Sequence, residues 1–192
     1  MKEKLVRLLI GKAFKYSEEP VFKLVSGRVS NYYFNCKTVT LHPEGMYLIG
    51  NIIFDMIKDL PVNAIGGLTL GADPIADAVA YTSYLKGKPV EAFVVRKSAK
   101  SHGTMQWIEG NVKAGDRVVI VDDVITTGKS TIEAIARARE AGFQIAKVIA
   151  LVDRQEGGYE NVVESVKDIK TAYPLVEAVV TRDDVMALYK PL

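Results

Sequence analysis

Five short runs rich in Val, Ile and other apolar residues, at 62–66, 90–96, 117–122, 146–153 and 175–180, set the rhythm of this chain. Between them, at 44–58, 74–85 and 130–141, apolar residues return every three or four positions, the period of a helix packed on one face. Strand, helix and strand at these spacings leave few architectures open. The expected one is an α/β fold, a mostly parallel central sheet flanked by helices. Val118-Val-Ile-Val121 shows no polar alternation, which suits a central strand buried on both faces. Open α/β sheets bind ligands beyond the carboxyl ends of their strands, so chemistry is expected immediately after each run.

The ends of the chain keep a different rhythm. Phe22-Lys-Leu-Val-Ser-Gly-Arg-Val-Ser-Asn-Tyr-Tyr-Phe34 reads as a strand, a turn at Gly27 and a second strand. The stretch 181–189 opens with an N-cap residue, Thr181, followed by Asp183 and Asp184 in the first turn. Both ends are expected to pack beside the sheet as a small hood. The 192 residues then form a single domain, with a hood at about 1–40, a possible C-terminal contribution to it, and a core at about 41–180. Two glycine pairs, Gly66-Gly67 and Gly157-Gly158, mark tight connections. Segment 99–115 lacks periodicity and is long for a loop in a compact domain, the usual length of a functional lid.

Composition excludes several function classes. Lys and Arg exceed Asp and Glu by a formal charge of only +2, too little to argue for a nucleic-acid partner. The single cysteine, Cys36, cannot form an intramolecular disulfide. Met1-Lys-Glu-Lys-Leu-Val-Arg-Leu-Leu-Ile10 reads as the start of an amphipathic helix and not as a signal peptide. No apolar run approaches the roughly 18 residues needed to span a membrane, so no membrane association is expected and the cytoplasm is the expected location.

The strongest local signal is Val119-Ile-Val-Asp-Asp-Val-Ile-Thr-Thr-Gly-Lys-Ser130. It ends a buried strand with two acids and continues into a hydroxyl-rich turn and a helix start. Thr126, Thr127, Gly128, Lys129 and Ser130 can offer backbone N–H groups, hydroxyls and one ammonium to a phosphate. Asp122 and Asp123 suit hydrogen-bond donors or positive charge, such as ribose hydroxyls or hydrated magnesium. Gly128-Lys129-Ser130 matches the end of a Walker A loop, but that motif needs glycine where this chain has Asp123. A dinucleotide fold is weaker still, because no Gly-x-Gly-x-x-Gly occurs. The bland alternative is that Asp122 caps the turn, Asp123 is solvated and the rest merely starts a helix. Arg96, Lys97, Lys100 and His102 fall within seven residues at the end of a strand, with no acid between them. A departing diphosphate needs such donors; a solvated basic turn is the alternative. His42, just before Pro43, reads as structural. Cys36 and Ser130 have no identifiable base partner, so a covalent nucleophile is not expected.

The run 119–130 resembles the phosphoribosyl pyrophosphate motif of the type I phosphoribosyltransferases. That resemblance implies that Asp122, Asp123, Val124, Ile125, Thr126, Thr127, Gly128, Lys129 and Ser130 bind phosphoribosyl pyrophosphate. The two acids would hold the ribose hydroxyls with Mg2+ close by, and the last five residues would cradle the 5-phosphate. Arg96-Lys-Ser-Ala-Lys-Ser-His-Gly103, with Glu109-Gly110 after it, resembles the catalytic loop of the orotate phosphoribosyltransferases. By that likeness Lys97 reaches across a homodimer whose sites are shared between subunits, Lys100 and His102 contact the diphosphate as catalytic residues with Asp122 and Asp123, and Arg96 lies in its own subunit's site. The segment 22–34 is similar to the family's hood, which implies that Tyr33 and Phe34 flank orotate. Asp153-Arg-Gln-Glu-Gly-Gly158 is similar to its orotate-contacting turn, with Arg154 as partner of the carboxylate and Thr126 also on the substrate; an ion pair between Arg154 and Glu156 is the alternative. Gly66-Gly-Leu-Thr-Leu-Gly-Ala-Asp-Pro74 occupies the place of a diphosphate loop. Some family members have lysine where this chain has Val25 and Gly71. The resemblance implies transfer of ribose 5-phosphate to orotate; a purine or xanthine phosphoribosyltransferase, or a regulator that senses phosphoribosyl pyrophosphate, are the competing readings. The direct metal ligands are not legible in the sequence.

Overall fold

The computed structural model describes residues 1–23, 27, 29–98 and 107–190. The expectations placed on Val25, Lys100 and His102 therefore lie outside the described residues. The chain opens with helix α1 (Lys2–Lys12), strands β1 (Phe14–Tyr16), β2 (Phe22–Lys23), β3 (Val29–Ser30) and β4 (Tyr32–Phe34), and the short helix α2 (Lys37–Thr40). It continues through α3 (Pro43–Ile57), β5 (Ala64–Leu68), α4 (Asp73–Leu85), β6 (Glu91–Val95), β7 (Ile108–Gly110) and β8 (Arg117–Ile125). The remainder is α5 (Lys129–Glu140), β9 (Gln144–Asp153), α6 (Gly158–Ser165), β10 (Val176–Thr181) and α7 (Arg182–Leu188).

The α/β expectation holds. Six strands form one sheet in the order β10-β9-β8-β5-β6-β7, parallel throughout except for β7, which runs antiparallel on β6. Alternation along β8 explains its wholly apolar run. Val119 and Val121 face a core shared with α1, α3 and α4, while Val118 and Ile120 face another shared with α5 and α6. Each such side chain contributes roughly 1.5–3 kcal/mol by burial.

Segment 99–115, expected to lack structure, instead contains β7 at 108–110. Three residues are too few to show a period, and the strand exists because β6 offers it an edge. In the hood, β2 and β3 pair antiparallel on either side of Gly27, whose φ is +83°. The second strand expected there is split at Asn31, whose side chain donates to the carbonyls of Ser17 and Glu18. Beyond the split, β4 pairs with β1. The expected cap at Thr181 is present as a capping box: Asp184 N donates to Thr181 Oγ1 (3.1 Å) and Thr181 N to Asp184 Oδ2 (2.8 Å). The segment it starts meets the hood, with Tyr189 against Phe14 at 5.2 Å and a 2.9 Å ion pair from Lys2 to Asp184. His42 is the N-cap of α3, ahead of Pro43 in the first turn. Among the described residues no helix is long and apolar enough to cross a membrane.

Candidate active site

The carboxyl end of β8 places two acids in the interior. Asp122 is only 4% exposed. Its Oδ2 accepts from Ser130 Oγ (2.7 Å) and Thr131 Oγ1 (2.6 Å), and its Oδ1 from the amide of Asp123 (3.0 Å). Burial raises its pKa to about 6; the Thr131 hydroxyl acts against that rise and the Asp123 charge adds to it. Asp122 thus ties the start of α5 to the end of β8 through two side-chain hydroxyls, without capping the helix. Asp123 is not solvated: it is equally buried, and its Oδ2 accepts from Lys37 Nζ at 2.9 Å. The loop after β5 passes so close that a Cβ at Gly71 would stand 2.6 Å from Asp123 Oδ1.

The turn 126–130 follows directly. Gly128, at φ +79°, is the N-cap of α5, so the unbonded amides of that helix and its positive end point out of the turn. The glycine pair 157–158 braces it from behind. A Cβ on Gly158 would lie 2.4 Å from Thr126 O, and one on Gly128 would lie 2.6 Å from Gly158 O. Asn161 Nδ2 adds a bond to Thr127 O at 3.2 Å. The chemistry open to this turn is anion binding by backbone amides, with Lys129 exposed at its rim.

Arg154 follows β9, its amide bonded to Ile125 O (3.1 Å), beside the end of β8. Only 4% exposed, its guanidinium lies beneath the hood, bonded to Tyr32 O (3.2 Å) and Ser30 Oγ (3.4 Å) and 5.4 Å from the Tyr32 ring centre. It also pairs with Glu156 at 2.8 Å, the ion pair weighed above. Its Nε is buried without a hydrogen-bond partner among the described residues. On β4, Tyr33 points outward, stacked on Phe22 at 6.1 Å, whereas Phe34 is buried in the core against Phe14 at 5.0 Å. Arg96 pairs with Glu109 at 3.1 Å, and its amide bonds Trp107 O, so the two ends of the intervening segment meet in adjacent strands. Lys97 is exposed at that point.

The fully buried Cys36 thiol reports on what surrounds the hood's inner wall. Burial pushes its pKa well up, Asp123 adds to that, Lys37 opposes it, Asp122 adds again and Arg154 opposes. Both acids, Lys37 and Arg154 therefore act on one point. Among the described residues no cluster of three or more His, Cys, Asp or Glu is preformed for a metal. Two adjacent carboxylates do fit a magnesium ion that keeps its waters and takes its other oxygens from a phosphorylated ligand.

A family model described as the phosphoribosyl transferase domain matches residues 41–180. Orotate phosphoribosyltransferase of Aquifex aeolicus is 48% identical over 84% of this chain and 88% of its own length. The crystal structure of Mycobacterium tuberculosis orotate phosphoribosyltransferase with Fe(III) dicitrate superposes with a TM-score of 0.79 at 33% identity, covering 96% of this chain and 98% of that one. The same bacterium's enzyme in complex with 5-phospho-alpha-D-ribosyl 1-diphosphate gives 0.74 at 29% identity, over 96% and 90%. The chain belongs to the orotate phosphoribosyltransferase family.

Within that family frame, sequence reasoning had passed over Lys37, Asn161 and the reason for Gly71. Lys37 is 86 residues from Asp123, in a four-residue helix without a motif of its own. Gly157-Gly158 stood out as a tight connection, but what it supports could not be read from spacing.

Proposed function

We propose that the chain is an orotate phosphoribosyltransferase. It transfers ribose 5-phosphate from phosphoribosyl pyrophosphate to orotate, giving orotidine 5-phosphate and diphosphate in pyrimidine nucleotide synthesis. The observation that carries this reading is the pairing of two features on neighbouring strands. The anion-binding turn with its two acids ends β8, and the buried Arg154 with an unpartnered Nε follows β9 under the hood. A guanidinium so placed can pair with the carboxylate that distinguishes orotate from uracil, once Glu156 yields or shares it. Similarity to the Aquifex and Mycobacterium enzymes supports the same choice of substrates.

In this mechanism the turn 126–130 holds the 5-phosphate, and Asp122 and Asp123 orient the ribose through its hydroxyls. The bond from C1 to the diphosphate oxygen breaks, C1 becomes cation-like, and a ring nitrogen of orotate supplies the new bond as its proton passes to the departing diphosphate. Orientation and fixed charge supply most of the rate. Magnesium, when bound beside the two acids, would neutralise charge on the departing diphosphate. Lys100 and His102 serve that diphosphate, Arg96 lies beside it, and Tyr33 stands on the hood wall beside orotate, whereas Phe34, buried against Phe14, packs the hood from behind. The assembly is a cytoplasmic homodimer in which Lys97 of one subunit serves the other's site. An exposed apolar groove of about 520 Å³ between α3 and α4, lined by Met46, Tyr47, Tyr81 and Leu85 among others, supports such pairing.

The test is to follow orotate absorbance with protein, phosphoribosyl pyrophosphate and magnesium, omitting each in turn. A fall that needs all components, with an equal amount of diphosphate released, is expected. Folded protein that leaves orotate untouched while converting a purine base would overturn the reading.

A further inference from the structure

Asp123 presents its two oxygens to opposite walls of the site. Oδ1 faces Gly71, where a Cβ would stand only 2.6 Å away, so a side chain at that position would crowd it. Oδ2 faces the hood and takes the Lys37 ammonium at 2.9 Å. Lys37 is held from behind: it opens α2 directly after Cys36, which is 1% exposed, and Val39 and Thr40 of the same turn are buried. Its side chain is 42% exposed and that of Asp123 only 8%. The ammonium therefore stands between a buried carboxylate and the open site.

A buried carboxylate without a counter-charge is costly, which accounts for the Lys37–Asp123 pair. The same pair must be renegotiated when a sugar arrives. Ribose hydroxyls donating to Asp123, or a hydrated cation beside it, compete for the oxygen that Lys37 holds. Lysine has a flexible four-carbon stem and three donors, so its ammonium can turn without moving α2. The nearest new anion is then the diphosphate on C1 of the same ribose.

We propose that Lys37 is a binding residue for the diphosphate end of the substrate, neutralising Asp123 in the empty site and transferring its ammonium to the diphosphate in the filled one. This inference rests on the proposed phosphoribosyl transfer and deepens it. It also accounts for a site with Gly71 in its phosphate-facing loop: the positive charge comes from the hood wall instead.

The experiment compares wild type with Lys37→Met and Lys37→Arg by calorimetry, using phosphoribosyl pyrophosphate and ribose 5-phosphate, each with and without magnesium. Lys37→Met is expected to weaken phosphoribosyl pyrophosphate binding at least about tenfold, the loss of one charge-assisted hydrogen bond. Ribose 5-phosphate, which lacks the diphosphate, should change by less than about twofold, and Lys37→Arg should restore most of the loss. In turnover, KM for phosphoribosyl pyrophosphate should rise while KM for orotate does not. Equal weakening of both ligands would reduce Lys37 to a support for Asp123, and unchanged binding of both would remove it from the site; either overturns the proposal. If Lys37→Met does not fold, Lys37→Gln is read in the same way. Wild type that binds phosphoribosyl pyrophosphate but leaves orotate unconverted would instead count against the choice of base, because the contrast between the two sugars is measured without any base.

Discussion

Asp122 is buried at the end of a central strand, and pH tests what that burial does to folding. Burial keeps it protonated up to about pH 6, whereas an aspartate in the unfolded chain ionises near ~3.9. Between those values the native state binds more protons than the unfolded one, so stability is greatest at the acid end of the window and falls as pH rises through it. A gap of about two pH units corresponds to about 3 kcal/mol. Asp122→Asn keeps an acceptor for Thr131 and has no proton to lose. Denaturation between about pH 4 and 7 should therefore show wild type losing up to about 3 kcal/mol more than the variant; parallel curves would mean the carboxyl is not raised. Arg154 offers the complementary case. Arg154→Gln should raise KM for orotate at least about tenfold and leave that for phosphoribosyl pyrophosphate nearly unchanged, as steady-state kinetics with each substrate varied will show. Asp122 and Asp123 were legible because they lie in the last part of a recognisable strand, and Arg154 because it follows one. Lys37 was not, because what gives it a role is an ion pair formed only when the hood folds down on the sheet.

Elements were legible in proportion to their length and burial. The run 118–121 declared itself because two cores demand apolar residues on successive positions, and α3, α4 and α5 each carry enough turns to show a period. β1 and β7, at three residues each, exist only through their partners, and α6 was hidden behind the glycine pair that begins it. That pair has a duty at this scale, because the close approach of Gly158 to Thr126 and of Gly128 to Gly158 locks the turn 126–130 to the start of α6. Gly158→Ala must displace the Thr126 carbonyl, 2.4 Å from the new methyl. The expected cost is about 1–3 kcal/mol of stability and about tenfold in affinity for phosphoribosyl pyrophosphate. Thermal melting and calorimetry on one preparation will decide it; a lower melting temperature with unchanged affinity would mean the brace supports the fold and not the turn.

At the scale of the whole molecule the question is whether one chain makes a complete site. Lys97 lies exposed at the end of β6, where the segment leading to Lys100 and His102 departs, while Asp123 is buried at the end of β8. If Lys97 serves its neighbour, the two residues needed for one site come from different subunits, and inactive variants can complement each other. In a mixed dimer of Lys97→Ala and Asp123→Asn, one site combines the intact Asp123 of the first chain with the intact Lys97 of the second. The other site receives both defects. Random exchange at equal concentrations makes about half the dimers mixed, with one good site in two, so activity should recover to about a quarter of wild type. If Lys97 served its own subunit's site, mixing would restore nothing, because every site would still carry one defect. The decisive measurement is turnover after subunit exchange has been verified by mass spectrometry of differently tagged chains. Complete exchange without recovery would return Lys97 to its own subunit's site.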